Sequence, residues 1–121
     1  MLAAHVELIL LITGLATAGA LVVFLAPATM MKMLFGQAHS DALSLLARHW
    51  GLLVSLVGTL LIYAAYHAEI RVPAMVLAIA EKVPFVLTLF MSPFRGRPAV
   101  LLMALADAGM AAVYLVCLAG L

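Results

Sequence analysis

A run of 24 residues, Leu8–Met31, contains no charged side chain. A helix of about 20 apolar residues crosses a hydrocarbon core of roughly 30 Å, so this run is long enough for one membrane span. The whole chain is similarly apolar, since 69% of its 121 residues are hydrophobic and 9% are charged. Soluble domains carry about 25% charged residues. We therefore expect an integral membrane protein, and the net charge of +1 without a basic cluster predicts no nucleic-acid partner.

Four apolar runs separated by proline, glycine and short polar turns predict an all-α fold, an integral membrane four-helix bundle that forms a single membrane domain over residues 1–121. After the first span, the segment PATMMKMLFG begins with proline and ends with Gly36. This pattern predicts a short helix at the membrane interface. Ser40 is the predicted N-cap of the second span. The spans are predicted at about 4–25, 41–67, 72–92 and 98–120.

Polar side chains of the second span recur at helical spacing and predict a stripe that faces other protein helices. Three small side chains, Gly51, Ser55 and Thr59, also recur at every fourth position, which lets a second helix approach closely. The stripe consists of Arg48, Ser55, Thr59 and Tyr66, with Tyr63 on its flank.

Several ionisable residues fall within the predicted spans, where an unpaired charge costs about 2.5–3.5 kcal/mol at the bilayer centre. Glu81 and Asp107 lie near the middle of their spans and are too short to reach the headgroups, so each must be protonated, paired or beside a wet cavity. Adjacent helical residues point about 100° apart, so Glu81 and Lys82 are not expected to face each other. We expect Lys82 to pair with Asp107 while Glu81 faces Arg48 or a cavity.

No familiar metal-binding or catalytic motif occurs. The four histidines are spread over different predicted depths, and Cys117 is the single cysteine. The sequence therefore identifies no metal site and no cofactor, and it favours a non-enzymatic protein.

Three features resemble the DoxX-like group of small bacterial four-helix membrane proteins. They are LAPATMMKMLFG after the first span, ARHWGLL early in the second, and lone acids in the third and fourth. The resemblance covers most of the chain and implies a four-helix bundle in a bacterial cytoplasmic membrane. Some relatives in that group are linked to quinone or sulfur redox complexes.

The distribution of basic residues predicts an orientation. Lys32, Arg95 and Arg97 lie on the side of the first and third connections, whereas Arg71 lies on the other side. Because cytoplasmic loops carry the excess of lysine and arginine, both termini are predicted to be non-cytoplasmic.

Three functions remain open at this stage. The chain is a subunit of a membrane assembly or a homo-oligomer, or it binds or converts an apolar, quinone- or sterol-like small molecule, or it is a proton-coupled small multidrug carrier that uses an embedded glutamate. Membrane lipid surrounds the protein in each case. In the second hypothesis Glu81 and Asp107 are the acid/base or hydrogen-bonding groups, Arg48 and Lys82 adjust their charge, and the wall consists of Trp50, Tyr63 and Tyr66.

Overall fold

The computed structural model describes residues 2–36 and 40–120, and this part of the chain is helical apart from short turns. No strand occurs within these ranges, so the predicted all-α class is confirmed. Three short 3-10 turns lie at Leu2–His5, Ala68–Ile70 and Pro93–Gly96. The α-helices are α1 (Val6–Ala18), α2 (Leu21–Leu25), α3 (Pro27–Phe35), α4 (Asp41–Tyr66), α5 (Arg71–Phe90) and α6 (Pro98–Leu118).

Four helical stretches are long and apolar enough to cross a membrane: Val6–Leu25, Asp41–Tyr66, Ala68–Phe90 and Pro98–Leu118. Large apolar side chains cover their outer surfaces, among them Leu15, Leu45 and Leu102. Soluble proteins rarely expose apolar surface on this scale, because its contact with water is unfavourable. The outer surface therefore suits contact with hydrocarbon.

Helix ends follow the signals in the sequence. Ser40 is the N-cap of α4, because its side-chain oxygen accepts a hydrogen bond of 3.1 Å from the backbone N–H of Leu43. Pro27 occupies the first turn of α3, where its missing N–H leaves no bond unmade. Gly36 ends α3 with a φ of 68°, a left-handed conformation that glycine adopts without strain.

Two arginines bind carbonyl groups at helix ends. Nε of Arg71 donates to the carbonyl of Ala64 at 3.0 Å, and Nη2 donates to the carbonyl of Ala65 at 2.7 Å. Nε of Arg97 donates to the carbonyl of Leu34, near the end of α3, at 2.7 Å. Each guanidinium thus adds a donor to carbonyls near the end of a helix, where intrahelical donors run out.

The first span is divided between two helices. A turn at Gly19–Ala20 separates α1 from α2. Around this turn, backbone N–H groups bond to the carbonyl three residues earlier in the chain instead of four. The N–H of Ala20 bonds to the carbonyl of Thr17 at 3.1 Å, and that of Val23 bonds to the carbonyl of Ala20 at 2.9 Å. This tightened turn lies beside a cavity that Lys82 and Asp107 also line.

Glycines bring the first span unusually close to α4. A Cβ atom on Gly14 would lie 2.9 Å from the carbonyl oxygen of Gly58, and one on Gly51 would lie 2.9 Å from that of Ala20. A Cβ on Gly58 would collide with the backbone of Ala18. The two helices can therefore pack backbone against backbone only because these side chains are absent.

The buried face of α4 differs from the predicted polar stripe. Ser55 is buried, but Arg48, Thr59, Tyr63 and Tyr66 are exposed. Close packing without a water-driven hydrophobic effect favours small side chains over polar ones, so the glycines rather than the polar residues identify the contact. The buried residues are Ala47, Gly51, Val54, Ser55, Gly58, Leu61, Ala64 and Ala65.

We predict that Gly58→Ala destabilises the protein by about 1–3 kcal/mol, because the added methyl group must push the first span away from α4. The measurement is reversible unfolding in mixed detergent micelles, followed by far-UV circular dichroism. Gly109→Ala is the matched control, since a Cβ on this helical glycine would meet nothing within 4 Å. The control should be neutral or stabilising, as alanine favours helix by up to about 1 kcal/mol. Equal effects of the two substitutions would contradict the packing account.

Candidate functional site

The side chain of Lys82 lies buried between α1, α5 and α6, with 1% of its surface exposed. Its Nζ donates to Asp107 Oδ1 on α6 at 3.2 Å and to Thr17 Oγ1 on α1 at 3.0 Å. Glu81 Oε2 lies 3.6 Å from the same nitrogen. An ammonium has three N–H groups, and each therefore has an oxygen nearby. The Lys82–Asp107 contact expected from the sequence is present in the structure.

Thr17 links this ion pair to the first span. Its hydroxyl donates to the backbone carbonyl of Thr13 at 2.8 Å, so its lone pairs are free to accept from Lys82. Sequence reasoning missed Thr17. The available signal was the spacing of Thr13 and Thr17, four residues apart and hence on one face of an otherwise apolar helix.

The expectation that Glu81 and Lys82 do not face each other is wrong. Its nearest cation is Lys82, the next residue in the chain. The Cβ atoms of adjacent residues diverge, but both side chains are long enough to curve towards each other. Glu81 Oε2 is also buried and has no hydrogen-bond partner within the part of the chain that the structure describes. One ammonium therefore serves two carboxyl groups.

A cavity of about 180 Å³ adjoins the ion pair. Its polar end is formed by Thr17, Lys82 and Asp107. Apolar and sulfur-containing side chains form the remaining wall, including Trp50 of α4 and Phe85 of α5. The two rings stack with their centroids 5.4 Å apart and their planes at 30°. The methionines that line the cavity are Met30, Met103 and Met110.

The structure does not bring Arg48, Tyr63 or Tyr66 to this cavity. Arg48 lines a separate, open cavity of about 420 Å³ between α3 and the start of α4. Tyr63 and Tyr66 are exposed on α4, and the ring of Tyr63 stacks on that of His67 with centroids 3.9 Å apart. The predicted tyrosine wall is therefore wrong, and so is the Glu81–Arg48 contact, which was one of the two alternatives predicted for Glu81. Long polar side chains on this helix point outward, whereas its small residues point inward.

Tyr114 is a second buried polar group near the site. The side chain is fully buried on α6, and its hydroxyl has no hydrogen bond of acceptable geometry among the described residues. Thr13 lies beside it, but the Thr13 hydroxyl donates to the carbonyl of Ile9 at 2.6 Å. A polar face shared by α1 and α6 therefore continues beyond the ion pair.

Among residues 2–36 and 40–120, no three histidine, cysteine, aspartate or glutamate side chains form a group that could hold a metal ion. His39 lies outside the described residues.

We predict that Lys82→Met destabilises the protein by about 3–5 kcal/mol, because it leaves two carboxyl groups buried without a cation. The double substitution Lys82→Met with Asp107→Leu should cost at least about 0.5 kcal/mol less than the sum of the single ones, since each single change strands the partner's charge. Unfolding in mixed micelles gives all three free energies.

Lys32→Met is the control for this cycle, because Lys32 is exposed on α3 and should change stability by no more than about 0.5 kcal/mol. Additive effects of the two single substitutions would show that Lys82 and Asp107 do not depend on each other.

Comparison of the chain with known proteins identifies no relative. No family model, no curated protein and no solved structure matches the chain. The resemblance to the DoxX-like group therefore stays a prediction that depends on the sequence features alone.

Proposed function

We propose that this chain is an integral membrane four-helix protein that binds a lipophilic small molecule through a hydrogen-bond donor on the ligand's polar end. The observation that carries the proposal is the cavity whose polar end consists of Thr17, Lys82 and Asp107 and whose other walls are apolar. Ligand sites in proteins commonly combine apolar walls with a few convergent polar groups.

The polar end favours a donor over an acceptor. Lys82 Nζ donates hydrogen bonds to Thr17 Oγ1 and Asp107 Oδ1 and lies 3.6 Å from Glu81 Oε2, so oxygens surround the ammonium. A carboxylate offers about four acceptor positions, and Asp107 receives one hydrogen bond from Lys82 while lining the cavity. An anionic ligand would also meet two carboxyl groups against one ammonium. A neutral hydroxyl that donates to Asp107 is the better match.

The volume of the cavity limits the bound part to about one ring. An apolar protein cavity of about 150 Å³ is enough to hold benzene, and the cavity beside Lys82 measures about 180 Å³. Trp50 and Phe85 offer aromatic surface, and methionine sulfur packs favourably on rings. The ligand class is therefore a lipophilic alcohol with a ring at its polar end, such as a phenol, a quinol or a sterol.

The membrane setting follows from the same helices. Four of them have the length and composition of membrane spans, and α3 has an exposed Lys32 that suits the headgroup region. The bacterial cytoplasmic membrane and the non-cytoplasmic position of both termini stay predictions from the sequence.

The other two predicted functions also stay open to experiment. A subunit of an assembly or a homo-oligomer would appear as a particle larger than the monomer in mild detergent. A proton-coupled carrier would lose export of an aromatic cation in Glu81→Gln or Glu7→Gln. Glu7 is exposed in the first turn of α1, whereas the Glu81 side chain, on α5, is 16% exposed.

We predict that 4-bromophenol quenches the fluorescence of Trp50 saturably, because bromine in the cavity would contact the ring. Trp50 is the single tryptophan of the chain, so its emission reports on the cavity without a label. The protein is reconstituted in phosphatidylcholine nanodiscs. Bromobenzene, which lacks the hydroxyl, should quench without saturation by dissolving in the lipid.

Ala20→Leu should abolish the saturable part, since Ala20 lines the cavity and leucine would fill it. Ala106→Leu makes the same change on the exposed side of α6 and should leave the quenching intact. The proposed function is untenable if bromobenzene saturates as 4-bromophenol does, or if Ala20→Leu retains saturable quenching.

A further inference from the structure

We infer that the ligand enters sideways from the bilayer between Trp50 and Phe85, and that its apolar tail remains in a groove on the outer side of these two rings. This inference is based on the proposed function and adds the ligand's shape and route: a single-tailed lipophilic alcohol taken directly from the hydrocarbon. Three observations support it. Two spaces share the Trp50–Phe85 wall, the cavity beside Lys82 is smaller than a whole ligand, and Pro84 weakens α5 next to Phe85.

The outer groove shares the Trp50–Phe85 stack with the cavity beside Lys82. It encloses about 260 Å³ between α3, α4 and α5 and has an almost entirely apolar lining. Because Trp50 and Phe85 line both spaces, the stacked rings are the partition between them. The other residues that line this outer groove are Met31, Phe35, Leu43, Leu46 and Ala47.

The cavity beside Lys82 is too small to hold the whole of such a ligand. A space of about 180 Å³ holds one ring, whereas lipophilic ligands of ordinary size occupy sites of about 300–1,000 Å³. With the hydroxyl at Asp107, a chain attached to the far side of the ring needs a second apolar space. The outer groove, reached by separating one pair of rings, supplies it.

The backbone constrains the Trp50 ring more tightly than the Phe85 ring. Trp50 precedes Gly51, whose contact with the backbone of Ala20 and with Val23 fixes this part of α4 against the first span. Phe85 follows Pro84, a proline in the interior of α5. Proline cannot donate to the carbonyl four residues earlier, and its ring weakens the helix at that point. Phe85 is therefore the movable side of the partition.

The test follows the rate of saturable quenching of Trp50 by 2-bromo-4-dodecylphenol, measured by stopped flow in nanodiscs that hold one copy of the chain. Phe85→Ala should raise this rate by roughly threefold to tenfold, the factor that corresponds to the loss of one aromatic stacking pair. Pro84→Ala restores a backbone donor to α5 and should lower the rate. This second variant strengthens the helix, so it remains informative if Phe85→Ala fails to fold.

Phe90→Ala is the matched control, because Phe90 lies on the same helix, is exposed and lines neither space. Its rate should equal that of the unchanged protein.

Saturable quenching at one rate in all four proteins would overturn lateral entry and leave the binding site intact. A rate that falls in Gly19→Leu instead would place entry at the α1–α2 turn. A rate that falls in nanodiscs with two copies would show that a second copy covers the groove. If the unchanged protein shows no saturable quenching at all, the proposed function itself is wrong.

Discussion

The burial of the Lys82 ammonium is the constraint on which the rest of the structure depends. An isolated charge in a medium without water is strongly unfavourable, so its position requires oxygens close by. These come from Thr17 on α1, Glu81 on α5 and Asp107 on α6. Because α1 and α6 lie far apart in the chain, one ammonium fixes how three helices align along their lengths. A shift of one helical turn in any of them would leave a charge without a partner.

The glycine contacts and the ion pair support each other. Gly14 and Gly58 let α1 approach α4 backbone to backbone, and this approach sets the depth of Thr17, which lies one turn beyond Gly14. The turn at Gly19–Ala20 follows directly, and beyond it α2 still packs closely on α4 at Gly51. A cavity lies beside this turn and the charged groups. Irregular backbone at membrane depth is tolerated where it lines such a space.

Local signals in the sequence predicted the helices well, and contacts between helices less so. The caps at Ser40 and Gly36 depend on neighbouring residues alone, and both form. The Lys82–Asp107 contact was predictable because a short acid in mid-span needs a cation. Thr17 was missed because a threonine satisfies its own hydroxyl within a helix and so requires no partner. The inward direction of Tyr63 and Tyr66 was wrong because polarity identifies the buried face poorly when the surroundings are apolar.

The imbalance of charge at Lys82 favours the proposed binding site over a simple structural pair. A pair that only held helices together would be most stable with one acid, every oxygen bonded and no space beside it. Here two carboxyl groups share one ammonium, one buried oxygen of Glu81 lacks a donor, and Asp107 faces a cavity. At Asp107 the unused acceptor capacity lies at the polar end of an apolar space. A hydroxyl on the proposed lipophilic ligand would donate to it, whereas a pure hydrocarbon could not.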